Sequence, residues 1–422
     1  MKIEKEQLKQ LRNWLMILAE DDIDHDDSSG YLDEEEFEEI PDEVEIEDIC
    51  LNFPGDQEYA NYSIEEFSMY MSELDTLRKV NDFIVRTDHI IHAVISSSRM
   101  GYIGFESVLH SFSFNGEGLM ARVVKKPFLV GVMNAHEVRY EEDFGFGACE
   151  PYTAIEIRLS EDKDEEYLMN LIEQICFYLT DKTGVAIYPW EGPDINEIYD
   201  RMDEYYNEED ESEETVEEKE STTVDVATLP IYSPLLKMYR QAKGVDDQEI
   251  QFLQYYKIIE YISPVVARRV AYEQLNKRLD LLPAVKRDYN YLNSIIAVAR
   301  KYDKDMRDDS LAVSVIENCV DVVSLYGMIP DRLRRTIKKN CSIQKDSLTD
   351  DDMTEDQIRG IQKGIAAILY ATRNSIVHAK SNFNPTGNEW KTEELSEGNV
   401  VMEIIARSII NWNERLAEGF RI

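Results

Sequence analysis

Glu208-Glu209-Asp210-Glu211-Ser212-Glu213-Glu214-Thr215-Val216-Glu217-Glu218-Lys219-Glu220 divides the chain in two. The run holds nine acidic residues and one lysine and has no hydrophobic period. It offers too little apolar surface to offset the entropy of ordering it. With its flanks, residues 207–226, it reads as a flexible acidic linker. Upstream, residues 1–206 mix helical and strand periods, which predicts an α+β domain. Downstream, residues 227–422 read as helix throughout, which predicts an all-α helical bundle.

Charge follows the same division. The formal net charge is −40 over 422 residues. Residues 226–422 hold 28 Lys+Arg against 27 Asp+Glu, so residues 1–225 keep 45 − 28 = 17 basic and 85 − 27 = 58 acidic side chains. All of the net acidity therefore lies in the first half. That half repels nucleic acid; the second half does not. Five cysteines (Cys50, Cys149, Cys176, Cys319, Cys341) are scattered, with no C-x-x-C pair. This argues against a zinc site and for a reducing compartment. No run approaches the roughly 20 apolar residues that span a bilayer, and Met1-Lys2-Ile3-Glu4-Lys5 lacks the apolar run of a signal peptide. The expectation is a cytoplasmic protein with no membrane contact.

In the first half, Leu8, Leu11, Leu15 and Leu18 predict a helix over 4–20, and residues 63–96 read as one or two helices. Strands are expected at 121–124, 128–132, 152–159 and 185–188, with helices over 164–180 and 195–206. In the second half, helices are expected over 231–242, 247–262, 265–279, 284–303, 310–326, 330–340, 354–380 and 397–417. The helix from 354 opens on Thr354-Glu355-Asp356-Gln357, a capping-box pattern.

Within that helix stands Ala371-Thr372-Arg373-Asn374-Ser375-Ile376-Val377-His378. Asn374 and His378 are four residues apart and so share a helical face. The long Arg373 side chain can reach the same region. The three residue types suit phosphodiester cleavage. An imidazole titrates near neutrality and can exchange the proton of a 2′-hydroxyl or of the leaving oxygen. A guanidinium offers forked, permanently charged donors to phosphoryl oxygens. An amide can fix the imidazole or hold an oxygen. The plain alternative is a half-buried histidine and a solvated arginine on an ordinary helix.

This Arg-Asn-x-x-x-His pattern, on a long helix late in an all-α domain, resembles the HEPN superfamily of ribonucleases and RNA-binding domains. Leu235-Leu236-Lys237-Met238-Tyr239-Arg240-Gln241-Ala242 and Phe252–Tyr261 are similar to the first helices of its ApeA-like branch, known from bacterial defence. The resemblance covers about residues 228–420. It implies a homodimer with one composite site, metal-independent RNA cleavage leaving a cyclic phosphate, and no required cofactor. It also places Glu260 at an acidic position near the pocket. DNA, without the 2′-hydroxyl, should resist.

Other candidates are weaker. Arg332, Arg335 and Lys339 share one face of a basic helix and could follow an RNA backbone, with Lys380 and Tyr370 flanking the motif. His25 to Phe37 resembles a calcium loop, but His25 stands at its first ligand position and no second hand is visible. His89 and His92, read on a helix, have no third ligand, so no metal site is expected. The leading expectation is an endoribonuclease of bacterial defence or toxin type, with RNA as substrate. The acidic half would restrain it or receive a protein trigger. The alternative is a non-catalytic helical scaffold for RNA or protein, with the acidic half as nucleic-acid mimic or recognition module.

Overall fold

The computed structural model describes residues 2–27, 43–46, 48–81, 84–98, 103–140, 147–190, 221–280, 289–305, 308–341, 353–378 and 387–422. It divides into two units, Met1–Leu229 and Pro230–Ile422. The first is a mixed α/β unit and the second is helical.

The first unit is built on one large sheet. Its strands are β6 (Arg78–Asn81), β7 (Ile84–Arg86), β8 (Ile90–Ser96), β9 (Phe112–Gly116), β10 (Leu119–Lys125), β11 (Thr153–Leu159), β12 (Tyr188–Pro189) and β13 (Thr222–Asp225). The order is β13-β9-β10-β11-β8-β7-β6, with β12 also on β8. Every pairing is antiparallel except β13 on β9. Helices cover both faces. On one, α1 (Lys5–Ala19), α2 (Ile64–Glu73) and α4 (Phe128–His136) pack over Val85, Ile90 and Val94. On the other, α5 (Glu165–Thr183) lays Leu168, Leu171, Ile172 and Ile175 over Ile91, Ala93, Ile155 and Ile157. A short helix, α3 (Ile103–His110), precedes β9. Smaller sheets join β1 (Lys2–Glu4) to β3 (Glu43–Glu45), and β2 (Asp24–Asp27) to β4 (Asp48–Asn52) and β5 (Ala60–Ser63).

Double-sided burial explains two corrections. Residues 63–96 are helical only to Thr76; β6, β7 and β8 follow. Every residue of Ile90–Ser96 is buried, so the run lacks alternation and reads as a buried helix. Conversely, Phe128–Val132 is not a strand. Pro127 sits at the helix N-cap and Phe128–His136 is helical, buried nearly all round, which removes its amphipathic period. The strand expected at 185–188 occupies Tyr188–Pro189 instead. The helix expected at 195–206 lies outside the described residues. So does most of the linker, but its end is not a linker: Thr222–Asp225 form the edge strand beside Phe112–Asn115. Val224 alone of these four is buried, too weak a signal to separate from the acidic run.

The second unit comprises α6 (Pro234–Lys243), α7 (Gln248–Leu279), α8 (Tyr289–Asp305), α9 (Asp308–Cys319), α10 (Val322–Tyr326), α11 (Asp331–Cys341), α12 (Glu355–His378) and α13 (Leu395–Glu414). Helix α12 packs against α9 and α11. A β-carbon on Gly364 would meet Ile337 Cγ1 at 2.9 Å, so this glycine permits the close approach of α11. The capping box forms: Gln357 N–H donates to Thr354 Oγ1 at 3.3 Å, and Thr354 N–H to Gln357 Oε1 at 3.0 Å. One expectation fails instructively. Residues 247–262 and 265–279 are a single helix that runs through Pro264. Proline cannot donate to the carbonyl four residues back, but Ser263 Oγ donates to that Glu260 carbonyl at 2.8 Å instead.

Candidate functional site

Helix α12 presents the Arg-Asn-x-x-x-His motif in its last two turns. Its buried stripe is Ile361, Ile365, Ala366, Ile368, Leu369 and Thr372. Arg373 and Asn374, just past that stripe, are half-buried; His378, the last helical residue, is exposed. The imidazole thus stands at the helix C-terminus. Arg373 Nη1 donates to Asn374 Oδ1 at 3.1 Å, and Nη2 lies 3.4 Å from Glu260 Oε1. Glu260 arrives from α7 at the proline-interrupted turn, so the site draws on two helices. Its arginine is held between an amide and a half-exposed carboxylate. Thr372 anchors the far wall: it donates to the Ile368 carbonyl at 2.8 Å and accepts the Trp390 N–H at 3.0 Å. Trp390 in turn is buried against Gly398 and Phe252. The chain leaving α12 is thereby tied back beside the motif.

The accessory basic residues part company. Arg332 Nη1 donates to the Gly387 carbonyl at 2.7 Å. Its Nη2 donates to the Glu389 carbonyl at 2.8 Å and to Glu394 Oε2 at 2.6 Å. Its fork is therefore committed to fastening the segment after α12, which leaves no donor pair for an RNA backbone. Arg335 and Lys339 are exposed and keep that possibility. Lys380 lies outside the described residues. Arg332→Ala is expected to destabilise the helical unit by about 2 kcal/mol, the scale of charge-assisted hydrogen bonds, whereas Arg335→Ala should leave the denaturation midpoint unchanged. Equal midpoints for the two variants would remove the structural role given to Arg332.

The sequence reading missed a second constellation, in the first unit. Arg122 on β10, Glu156 on β11 and His92 on β8 are directly opposite one another across three strands. Glu156 is completely buried. Its Oε1 accepts from Arg122 Nε at 2.9 Å and Arg158 Nε at 2.8 Å. Its Oε2 accepts from the Tyr70 hydroxyl and lies 3.1 Å from His92 Nε2. The Leu129 N–H donates to His92 Nδ1 at 3.3 Å, which places the imidazole proton on Nε2, toward Glu156. Glu66 of α2 joins both arginines. Burial alone would raise the Glu156 pKa, but the His92 hydrogen bond and the two guanidiniums outweigh it and hold the carboxyl well below the usual range. A signal existed: His92, Glu156 and Arg158, and Arg122 are charged or titratable residues set within otherwise apolar strands. A helical reading of residues 63–96 hides the strand register that aligns His92 with Glu156.

Of the calcium-like loop, His25 and Asp27 lie in β2, opposite Leu51 and Ile49. Ser29, Gly30, Leu32 and Glu36 lie outside the described residues. Among the described residues no group of three or more His, Cys, Asp or Glu side chains is placed to hold a metal ion. No helix among them is long and apolar enough to cross a membrane. Compared with known proteins, the chain matches no family model, no curated protein and no solved structure.

Proposed function

We propose that the helical unit is a metal-independent endoribonuclease of the HEPN type, of its ApeA-like defence branch. It would act in the cytoplasm as a homodimer, with the acidic first unit as regulator. The observation that carries this reading is the Glu260–Arg373–Asn374 cluster beside an exposed His378 at the end of α12. The roles follow from chemistry. His378 takes the 2′-hydroxyl proton as the O2′–P bond forms and the P–O5′ bond breaks. The departing 5′ oxygen recovers a proton, and a 2′,3′-cyclic phosphate remains. Arg373 neutralises the phosphoryl oxygens and Asn374 positions.

Glu260 sits on the guanidinium that the phosphate needs. Substrate must displace it, so Glu260→Gln is expected to lower KM for RNA severalfold, measured by initial rates. An unchanged or raised KM would remove this role. The test of the function is cleavage of an RNA in EDTA, with the DNA of the same sequence as control. RNA cut and DNA spared is the expected result; neither cut, with and without stimulation by cell extract, favours the scaffold. That second reading draws on the same ion pair, since an arginine satisfied by glutamate also suits a purely structural helix junction. Restraint by the acidic unit, if electrostatic, weakens as salt rises.

A further inference from the structure

We propose that a cavity in the first unit, between α2, β5, the C-terminus of α3 and the end of β10, binds a small organic phosphate. The cavity has a volume of about 210 Å³. It has room for several waters and so for more than a bare phosphate ion. Its lining is electrically opposite to its surroundings. Residues 1–225 hold 17 basic and 58 acidic side chains. Yet the cavity is walled by Arg122, Lys125, Lys126 and His110, with Glu66 as the single lining carboxylate among the described residues.

Three features hold these groups in place for an anion. Arg122 gives Nε to Glu156 and Nη2 to Glu66, so its plane is fixed by the buried ladder. Its Nη1 has no protein partner among the described residues. A preset guanidinium edge of this kind suits phosphoryl oxygens. Strand β9 pairs with β10 only as far as Arg122, so on that side the backbone of Val123–Lys125 lines the cavity without a strand partner. Then Lys126 turns the chain at φ 45°. A left-handed lysine is costly and persists where its surroundings impose it. Here the Tyr62 hydroxyl donates to its carbonyl at 2.6 Å, and its ammonium is 3.2 Å from both Glu58 Oε2 and the Tyr59 carbonyl.

His110 supplies a readout. It ends α3 with part of its surface in solvent and its ring drawn in near Lys125, Glu106 and Arg122. Burial first, then the charges of Lys125 and Arg122, push its pKa below the ordinary value, against the opposing pull of Glu106 one turn earlier. An anion among those cations reverses the repulsion, so binding should draw a proton onto His110.

The test is titration calorimetry on the full chain with ribose 5-phosphate, inorganic phosphate and ribose. Ribose 5-phosphate should bind, inorganic phosphate about tenfold more weakly, and ribose not at all. At pH 7.5, above the second phosphate ionisation near about 6, two buffers of different ionisation enthalpy should reveal proton uptake. His110→Gln should abolish that uptake. Lys125 is half-exposed and ion-paired with the buried Glu106, so Lys125→Ala should weaken binding about tenfold with some loss of Tm, and calorimetry well below that Tm separates the two effects. Absence of binding by both phosphates overturns the site. So does wild-type affinity in Lys125→Ala together with unchanged uptake in His110→Gln. Equal affinity for the two phosphates overturns the organic part and leaves a bare anion site.

Discussion

His378→Ala is expected to lower RNA cleavage in EDTA by at least about a hundredfold, the contribution typical of a positioned acid or base. The effect should fall on kcat, with KM for RNA nearly unchanged, because the imidazole moves a proton in the transition state and binds little in the ground state. Its place in the structure makes the experiment clean. His378 is exposed at the last turn of α12, so its removal opens no core cavity, and stability should change by less than about 0.5 kcal/mol. A loss of cleavage that tracks a loss of Tm would point to a structural histidine. Cleavage by the variant at the wild-type rate would sink the catalytic assignment altogether. Arg373 is a less clean target, since its side chain also bridges Asn374 and Glu260.

The second large effect belongs to the buried ladder. Glu156→Gln is expected to destabilise the first unit by about 3 kcal/mol, because it leaves two guanidiniums facing a neutral amide. The pH dependence has a definite sign. A carboxyl whose folded-state pKa is depressed contributes its full stability above its unfolded pKa, and loses it as pH falls toward the folded value. The wild type should therefore lose stability as pH drops below the ordinary carboxylate range. The gap between wild type and Glu156→Gln should be widest at neutral pH and narrow under acid. Urea denaturation of both proteins at neutral and acid pH, followed through the transition of the first unit, measures this. A gap that stays constant with pH would mean that packing, rather than charge, makes Glu156 necessary.

Much of the helical unit was legible because its helices carry local signals. Thr354 and Gln357 form the capping box that their spacing announces, and the amphipathic stripe of α12 sets which residues it buries. Pro264 misled because a sequence shows the missing donor but not Ser263 Oγ taking its place. Arg332 misled for a related reason. A basic run reads the same whether its guanidinium meets solvent or, as here, three acceptors near the end of the next helix's connection.

By itself the sequence determined the division into an acidic mixed half and a near-neutral helical half, because charge, linker composition and helical period are local properties of the chain. It also placed Arg373, Asn374 and His378 on one helix, since that depends only on a spacing of 3.6 residues per turn. Only the tertiary structure decided what meets that helix: Glu260 comes from 113 residues away. It alone aligned Arg122, Glu156 and His92, which share no local pattern and meet through strand register. Register is fixed by which face of each strand is buried. With helices packed on both faces of the sheet, the alternation that would have revealed it is absent from Ile90–Ser96, the strand that carries His92.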